Sequence, residues 1–406
     1  MRKPDVIYLD HAATTPVDPR VREAMQPYWS VSYGNPSSVH QLGREARHAV
    51  ENSRARVAAC IGAEPSEIVF TSGGTEADNL AIFGSVVGDR GPVLSTPAEH
   101  EAVLRPVERL AKLGIDTTWC AVDSIARCRV DEVARLVEQS GATFATFMLV
   151  NNETGAVNDV PELARICRSA GAVVHCDAVQ AGELLDIDVQ ALGVDMLSLS
   201  AHKMYGPKGI GCLYVRGGTR LDSQVVGGSQ ERRRRGGTED VAAVVGFAKA
   251  IELARDERSD RHAHVSALTI RLQRGLEQAL GDAVQFVTDL TQPTAPHILS
   301  LVVPPDGGRR IDGEMLILNL DVDNLLVSAG SACTAGTLEP SHVLTAAGWA
   351  KESAAAALRF SAGKDNTPEE IDRAVEIVGN VIRRMAQGKS KQDRSPEARP
   401  RAVARE

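Results

Sequence analysis

No stretch of this chain reaches the roughly 18 consecutive apolar residues that a membrane span needs. The amino-terminal Met1-Arg2-Lys3-Pro4-Asp5 also lacks the long apolar core of a secretory signal. These two absences point to a cytoplasmic protein with no membrane contact. The seven cysteines, at 60, 120, 128, 167, 176, 212 and 333, include no C-x-x-C pair and no repeated metal-ligand spacing. That argues against a disulfide framework or a structural zinc site, and leaves most of the thiols to be buried as small apolar groups. A basic excess is missing too. With a formal net charge of −8, there is no general reason to expect nucleic acid or an acidic membrane as a partner. No internal repeat is visible.

What is present is a composition of 43% hydrophobic and 24% charged residues over 406 positions, enough for a large core divided between more than one domain. From Glu67 onward, short apolar runs alternate with helical patterns: Ile68 to Phe70, Val93 to Thr96, Ala145 to Val150, Ala172 to Cys176 and Met196 to Leu199. This alternation predicts an α/β fold with a mainly parallel sheet covered on both faces, whose sites gather at the carboxyl ends of the strands. Gly209 to Val215 follows the preceding strand too closely for a helical crossover and should run antiparallel to it. Asn35 to Ser38 offers helix-start chemistry for a segment reaching about Ile61, with Arg44, Arg47, Arg54 and Arg56 as its wet side.

Helices from about Val241 to Asp256 and from Arg261 to Leu280 lead into a smaller mixed α+β domain. It ends in a helix opened by the capping-box pattern Thr367-Pro368-Glu369-Glu370. The expected division is a large domain over 16–260 and a small one over 1–15 and 261–386. Residues 387–406, polar and charge-rich, are expected to be a disordered tail.

The centre of the pattern is Ser198-Leu199-Ser200-Ala201-His202-Lys203-Met204-Tyr205-Gly206-Pro207-Lys208-Gly209, a lysine at a strand end before a glycine-punctuated turn. A lysine in a confined, partly desolvated site loses proton affinity and can attack a carbonyl to form a Schiff base. Pyridoxal phosphate is the cofactor that most often uses such a lysine. The turn Ser72-Gly73-Gly74-Thr75 between a strand and a helix suits a phosphate. Asp177, closing His175-Cys176-Asp177-Ala178-Val179-Gln180, is placed to hold a pyridine nitrogen protonated, with Gln180 near the ring hydroxyl; alternatively it caps a helix. His100, in Glu99-His100-Glu101, could stack on a planar cofactor and move protons, or be an ordinary loop histidine. Cys333 stands among small residues, Ser328-Ala329-Gly330-Ser331-Ala332-Cys333-Thr334-Ala335-Gly336, which places it on a flexible exposed loop where the thiol could serve two positions.

Taken together these residues resemble the NifS/IscS-type cysteine desulfurases, in the group with the longer catalytic-cysteine loop. The likeness rests on Tyr8 to Pro16, Gly34 to Ser38, Phe70 to Ala77, Val150 to Gly155, His175 to Gln180, Ser200 to Gly209, Ser331 to Thr334, Glu339 to Leu344 and Leu358 to Ser361, in order along the chain. It implies fold-type I of the pyridoxal phosphate enzymes, a homodimer, and conversion of L-cysteine to L-alanine with the sulfur held on Cys333 as a persulfide. In that family's pattern Lys203 carries the cofactor and removes the substrate α proton, and His100 stacks on the ring as acid or base. Asp177 and Gln180 hold ring atoms. Gly74, Thr75, Ser200 and His202 hold the phosphate, with Thr238 reaching in from the other subunit. Asn152 and Arg359 position the substrate. Sulfur would then pass to an acceptor or scaffold protein serving iron-sulfur clusters, thiolated tRNA or a sulfur-containing metabolite.

The departures are small: Gly74 replaces a frequent alanine, Ser229 a frequent glycine, and Arg232 to Arg235 is a longer basic run than the family usually carries. That run reads as a solvated loop or as a docking patch for an acidic partner. Within the same fold the alternative activity is a selenocysteine lyase. A non-catalytic platform that merely retains the fold would not need Lys203, Asp177, His100 and Cys333 together.

Overall fold

In this computed structural model, residues 6–86, 91–305, 310–329 and 340–388 are described. Cys333 and the tail from 389 lie outside them. The chain is organised on a seven-stranded sheet built from β2 (Ile68–Thr71), β3 (Val93–Ser95), β4 (Thr117–Trp119), β5 (Phe144–Met148), β6 (Val173–Asp177), β7 (Met196–Ser200) and β8 (Gly211–Val215). Their order across the sheet is β2-β8-β7-β6-β5-β3-β4, and β8 alone runs against its neighbours. The α/β class and the antiparallel return after Lys203 are therefore as the pattern predicts. The inner strands are buried along their whole length, which is why they read as unbroken apolar runs rather than alternating ones. Sequence periodicity did not reveal β4, a half-buried edge strand of only three residues.

Smaller sheets complete the molecule: β1 (Ile7–Tyr8) pairs in parallel with β11 (Leu325–Leu326), and β10 (Ile298–Val302) lies between β9 (Gln285–Phe286) and β12 (Ala357–Ser361). Ile7 and Leu9 thus join an apolar cluster whose other members come almost entirely from residues 265–382. The helix Arg258–Leu280 begins three residues earlier than the sequence pattern suggests. In the last helix, Pro368–Gly388, the capping box forms: Thr367 Oγ1 accepts from the Glu370 amide and Glu370 accepts from the Thr367 amide.

The arginine-bearing segment before β2 departs from expectation in two ways. Its helix, Gln41–Cys60, is capped by the His40 side chain rather than by a residue of the 35–38 stretch. Arg54 is not on a wet face; it is 1% exposed. Its guanidinium meets Glu231 in a two-pronged pair at 2.7 and 2.8 Å, donates to the Ile68 carbonyl, and lies 4.7 Å from the centre of the Phe70 ring. Glu231 also accepts from the Phe70 amide. Its main partner is 177 residues away, with Glu51 of the same helix 3.4 Å from its Nε, and helical periodicity carries no sign of Glu231. The pair fixes a costly loop: Glu231, Arg232 and Arg233 take φ of 44°, 54° and 65°, a left-handed run costing about 1–2 kcal/mol per residue.

Replacing Arg54 with Ala leaves the Glu231 carboxylate buried without its counter-charge. Urea unfolding should register a loss of about 3–5 kcal/mol. A loss under about 1 kcal/mol, the range of exposed pairs, would mean that the pair is solvated after all.

Candidate active site

The carboxyl ends of β2, β5, β6 and β7 open on a cavity of about 540 Å³, within the size range of small-molecule sites. Its wall includes Gly74, Thr75, His100, Asn152, Asp177, Gln180, Ser200, His202, Lys203 and Arg359. Every site residue singled out in the sequence is there except two. Thr238 is exposed and does not line the cavity of this chain, and Cys333 lies outside the described residues. Ser328 and Ala329 on one side of its segment and Pro340 on the other do border the cavity.

Lys203 sits in the short turn Ala201–Lys203 that follows β7, and Gly206 and Gly211 let neighbouring backbone pass close by. A Cβ at 211 would stand 2.5 Å from the Leu199 carbonyl and 2.8 Å from the Gly73 backbone, so the return strand can approach the Ser72–Thr75 turn only as glycine. The Lys203 ammonium donates to the carbonyls of Ala12 and, at 2.9 Å, Ala13. Burial pushes its pKa down to about 8, the nearby Arg359 charge adding to the effect. A neutral amine is therefore accessible at ordinary pH.

Asp177 is buried, and one of its carboxylate oxygens accepts from the Val179 amide at 2.9 Å. Burial raises its pKa, against the pull of His100, of that amide and of Lys203. Asp78 and Glu99, also buried, have their proton affinity raised first by desolvation and then by the Asp177 charge; Glu99 is pushed up to about 8. His175 is buried beside them. Its ring nitrogens meet the hydroxyls of Thr146 and Ser198 at 2.8 and 2.9 Å, and burial lowers its pKa to about 3.

His100 caps the helix Glu101–Lys112 through Nδ1, which accepts from the Ala102 amide at 3.1 Å and so leaves the ring proton to Nε2. Its ring is open to the solvent that fills the cavity mouth. Desolvation by the protein behind it, with Lys203, lowers its pKa. His202 is driven down to about 4, first by burial and then by Lys203, and its Nδ1 lies 3.2 Å from Thr14 Oγ1. Gln180 donates to the Ala12 carbonyl at 2.7 Å.

Arg359, 6% exposed in β12, donates to the Asn152 carbonyl at 2.7 Å and to Asp10 at 3.0 Å, while its Nε and the Asn152 side-chain oxygen have no partner among the described residues. These unpaired polar atoms at the cavity wall suit a small polar ligand. Asp10, Asp78, Glu153, His342 and the Ala12 and Ala13 carbonyls carry no separate signal in the sequence, yet the fold brings them to the same place. Glu153, pushed up to about 7 by burial, accepts from Ser341, the cap of the helix that follows the Cys333 segment. Asp10 and Glu153 stand inside motifs already noted, but nothing local told them apart from structural acids.

A family model described as aminotransferase class-V matches residues 7–374. The cysteine desulfurase IscS of Anaeromyxobacter dehalogenans is 42% identical over 385 residues, covering 93% of both chains. Among solved structures, a NifS-like protein superposes with a TM-score of 0.85 at 34% identity, covering 93% of this chain and 99% of that one. A structure titled SspA in complex with cysteine gives 0.75 at 32% identity, covering 89% and 99%.

The desolvated Lys203 makes a prediction to be read on protein stripped of any bound aldehyde. Mapped by mass spectrometry across a pH series of amine labelling, its reactivity should reach half its maximum near pH 8, rising with pH as the ammonium loses its proton. Exposed lysines should follow at about 10.4. A Lys203 profile that coincides with theirs would contradict the buried site.

Proposed function

The chain belongs to the aminotransferase class-V family and, within it, to the NifS/IscS-type cysteine desulfurases, and from that membership we propose that it converts L-cysteine to L-alanine and keeps the sulfur on Cys333 as a persulfide. The observation that carries the reading is the meeting in one cavity of an amine of depressed pKa, a buried carboxyl and a half-engaged arginine: Lys203, Asp177 and Arg359. That donor set fits pyridoxal phosphate. Lys203 would hold its aldehyde carbon, Asp177 its ring nitrogen and Gln180 its ring oxygen, with His100 against its face. Gly74, Thr75, Ser200 and His202 would hold its phosphate, with Thr238 supplied by the second subunit of a homodimer. Bound there, the cofactor supplies an electron sink for the pair released when a proton leaves the substrate α carbon.

The residues of the chain then divide the work. Arg359 pairs with the substrate carboxylate, for which its Nε is unclaimed, and Asn152 fixes the same end. Lys203, neutral above about pH 8, takes the α proton. His100, neutral at working pH, moves the proton of the substrate thiol. Cys333 Sγ attacks the substrate sulfur. An S–S bond forms as the C–S bond breaks, the β carbon that lost sulfur takes up a proton to become the methyl group of alanine, and Lys203 returns a proton to the α carbon. A small domain carrying Cys333 over a large one holding the cofactor, divided as the sequence suggests, suits this transfer. Delivery to an iron-sulfur scaffold or another acceptor, in the cytoplasm, follows from the chemistry of a protein-held persulfide. The relatives' names favour cysteine over selenocysteine as substrate.

Purified protein should be yellow, change its visible spectrum on addition of L-cysteine with a reductant, and release alanine and sulfide in equal amounts. Cys333→Ala should keep the colour and lose both products by about three orders of magnitude or more; Lys203→Ala should lose colour and turnover together. A colourless protein that cannot be reconstituted with pyridoxal phosphate would sink the reading. Turnover at the native rate by Cys333→Ala would remove the persulfide step from it.

A further inference from the structure

The run Arg232 to Arg235 divides: Arg232 and Arg233 are exposed, while Arg234 and Arg235 are partly buried. Arg232 donates to the Pro65 carbonyl at 3.4 Å and lies 3.5 Å from Glu51, while Arg234 donates to the Ser66 carbonyl at 3.4 Å. Arg235 goes furthest in. Its Nε and Nη2 meet the two carboxylate oxygens of Glu76 at 2.9 and 3.4 Å, with the two side chains 23% and 18% exposed. Glu76 in turn accepts from the Ser72 amide at 2.7 Å. One carboxylate therefore joins the end of the arginine run to the first residue of the Ser72–Thr75 turn.

That position carries an electrostatic problem. Glu76 lies in the first turn of the helix Gly74–Val86, whose leading amides have no partner within the helix and whose positive end faces the cavity at Gly74 and Thr75. Ser200 Oγ is 4.0 Å from where a Cβ on Gly73 would stand, so turn and hydroxyl form one wall. A bare carboxylate here would hold the turn's shape yet repel a phosphate from the same helix end. Of the neighbouring acids, Glu231 is taken by Arg54 and Glu239 lies 3.5 Å from Arg47; both add to the field at Arg235, but its hydrogen bonds go to Glu76. Glu76 stays ionised, since the bonds from Arg235 and Ser72 outweigh the burial that would raise its pKa.

We propose that Arg235, acting through Glu76, is a positioning residue for the cofactor's phosphate: it cancels the Glu76 charge at the helix end while Glu76 holds the Ser72 amide, an inference that rests on the pyridoxal phosphate reading above. The buried Arg54–Glu231 pair, four residues upstream, aims the arginine.

Absorbance titrations of apo-protein with pyridoxal phosphate and with pyridoxal, which lacks the phosphate, separate the two ideas. For Arg235→Gln, affinity for pyridoxal phosphate should fall about tenfold, while that for pyridoxal stays within about twofold of wild type. Arg235→Lys should recover most of the loss, and so should the double variant Glu76→Gln with Arg235→Gln, because an amide at 76 still accepts from Ser72 without a charge to cancel. Wild-type affinity in Arg235→Gln would overturn the inference alone. So would an equal loss for both ligands, the mark of a merely structural role, or a double variant no better than the single one. A wild-type protein that binds no pyridoxal phosphate would instead overturn the reading beneath it, and the inference with it.

Discussion

Arg359 is where distant parts of the chain are held to one geometry. Its guanidinium joins Asp10 near the amino terminus to the Asn152 carbonyl after β5, and its backbone exchanges hydrogen bonds with Ser328 just before the Cys333 segment. A buried cation needs such partners, because an uncompensated charge at that depth costs several kcal/mol. The requirement works in both directions. The arginine is ordered by the pieces it joins, and those pieces, including the Ala12 and Ala13 carbonyls that receive Lys203, are brought to the cavity by it. A substrate carboxylate entering there meets a cation that is already desolvated and has a nitrogen to spare.

Beneath the cavity lies a bed of acids. Asp78, Glu99 and Asp177 are buried, and lost hydration raises the proton affinity of each; the Asp177 charge adds to the effect at Asp78 and Glu99, and Glu99 adds to it at Asp78. Such a group of carboxyls favours whatever delivers positive charge to the cavity floor, and a protonated pyridine ring has that character. Above them the bases are all weakened: Lys203, His100 and His202 are each displaced toward the neutral form, with burial as the leading cause. Lost hydration thus moves neighbouring acids and bases alike toward their uncharged forms, a shift that bulk water would not produce.

The legible features were those written in local pattern. Strands buried on both faces stand out as apolar runs, and the residues closing them, Asp177 and Lys203, sit where a parallel sheet places its ligands. The glycine turn before the helix Gly74–Val86 was readable for the same reason. What was hidden depends on sequence separation. Arg54 occupied a helix position that periodicity assigns to solvent, and only the fold supplies Glu231. The direction of the Arg232 to Arg235 run followed from a left-handed backbone that no residue type announces, since three non-glycine residues in succession adopt it. Asp10 and Glu153 were visible as letters within motifs, but their partners, Arg359 and Ser341, came from the far end of the chain.

The amino-terminal strand has a consequence for how the protein is made. Ala12 and Ser361 are hydrogen-bonded yet 349 residues apart in sequence. At roughly 5–20 residues per second on the ribosome, the segment that receives the lysine waits about 20–70 s for its partner to be synthesised. Throughout that interval the strands of the sheet are already made while the arginine does not yet exist; Thr15, bonded to the His202 carbonyl, is what ties the segment to the lysine turn meanwhile. Because Arg359 and Ser361 are made so late, the end of the cavity formed by Asp10, Asn152 and Arg359 is the last part of it to be completed.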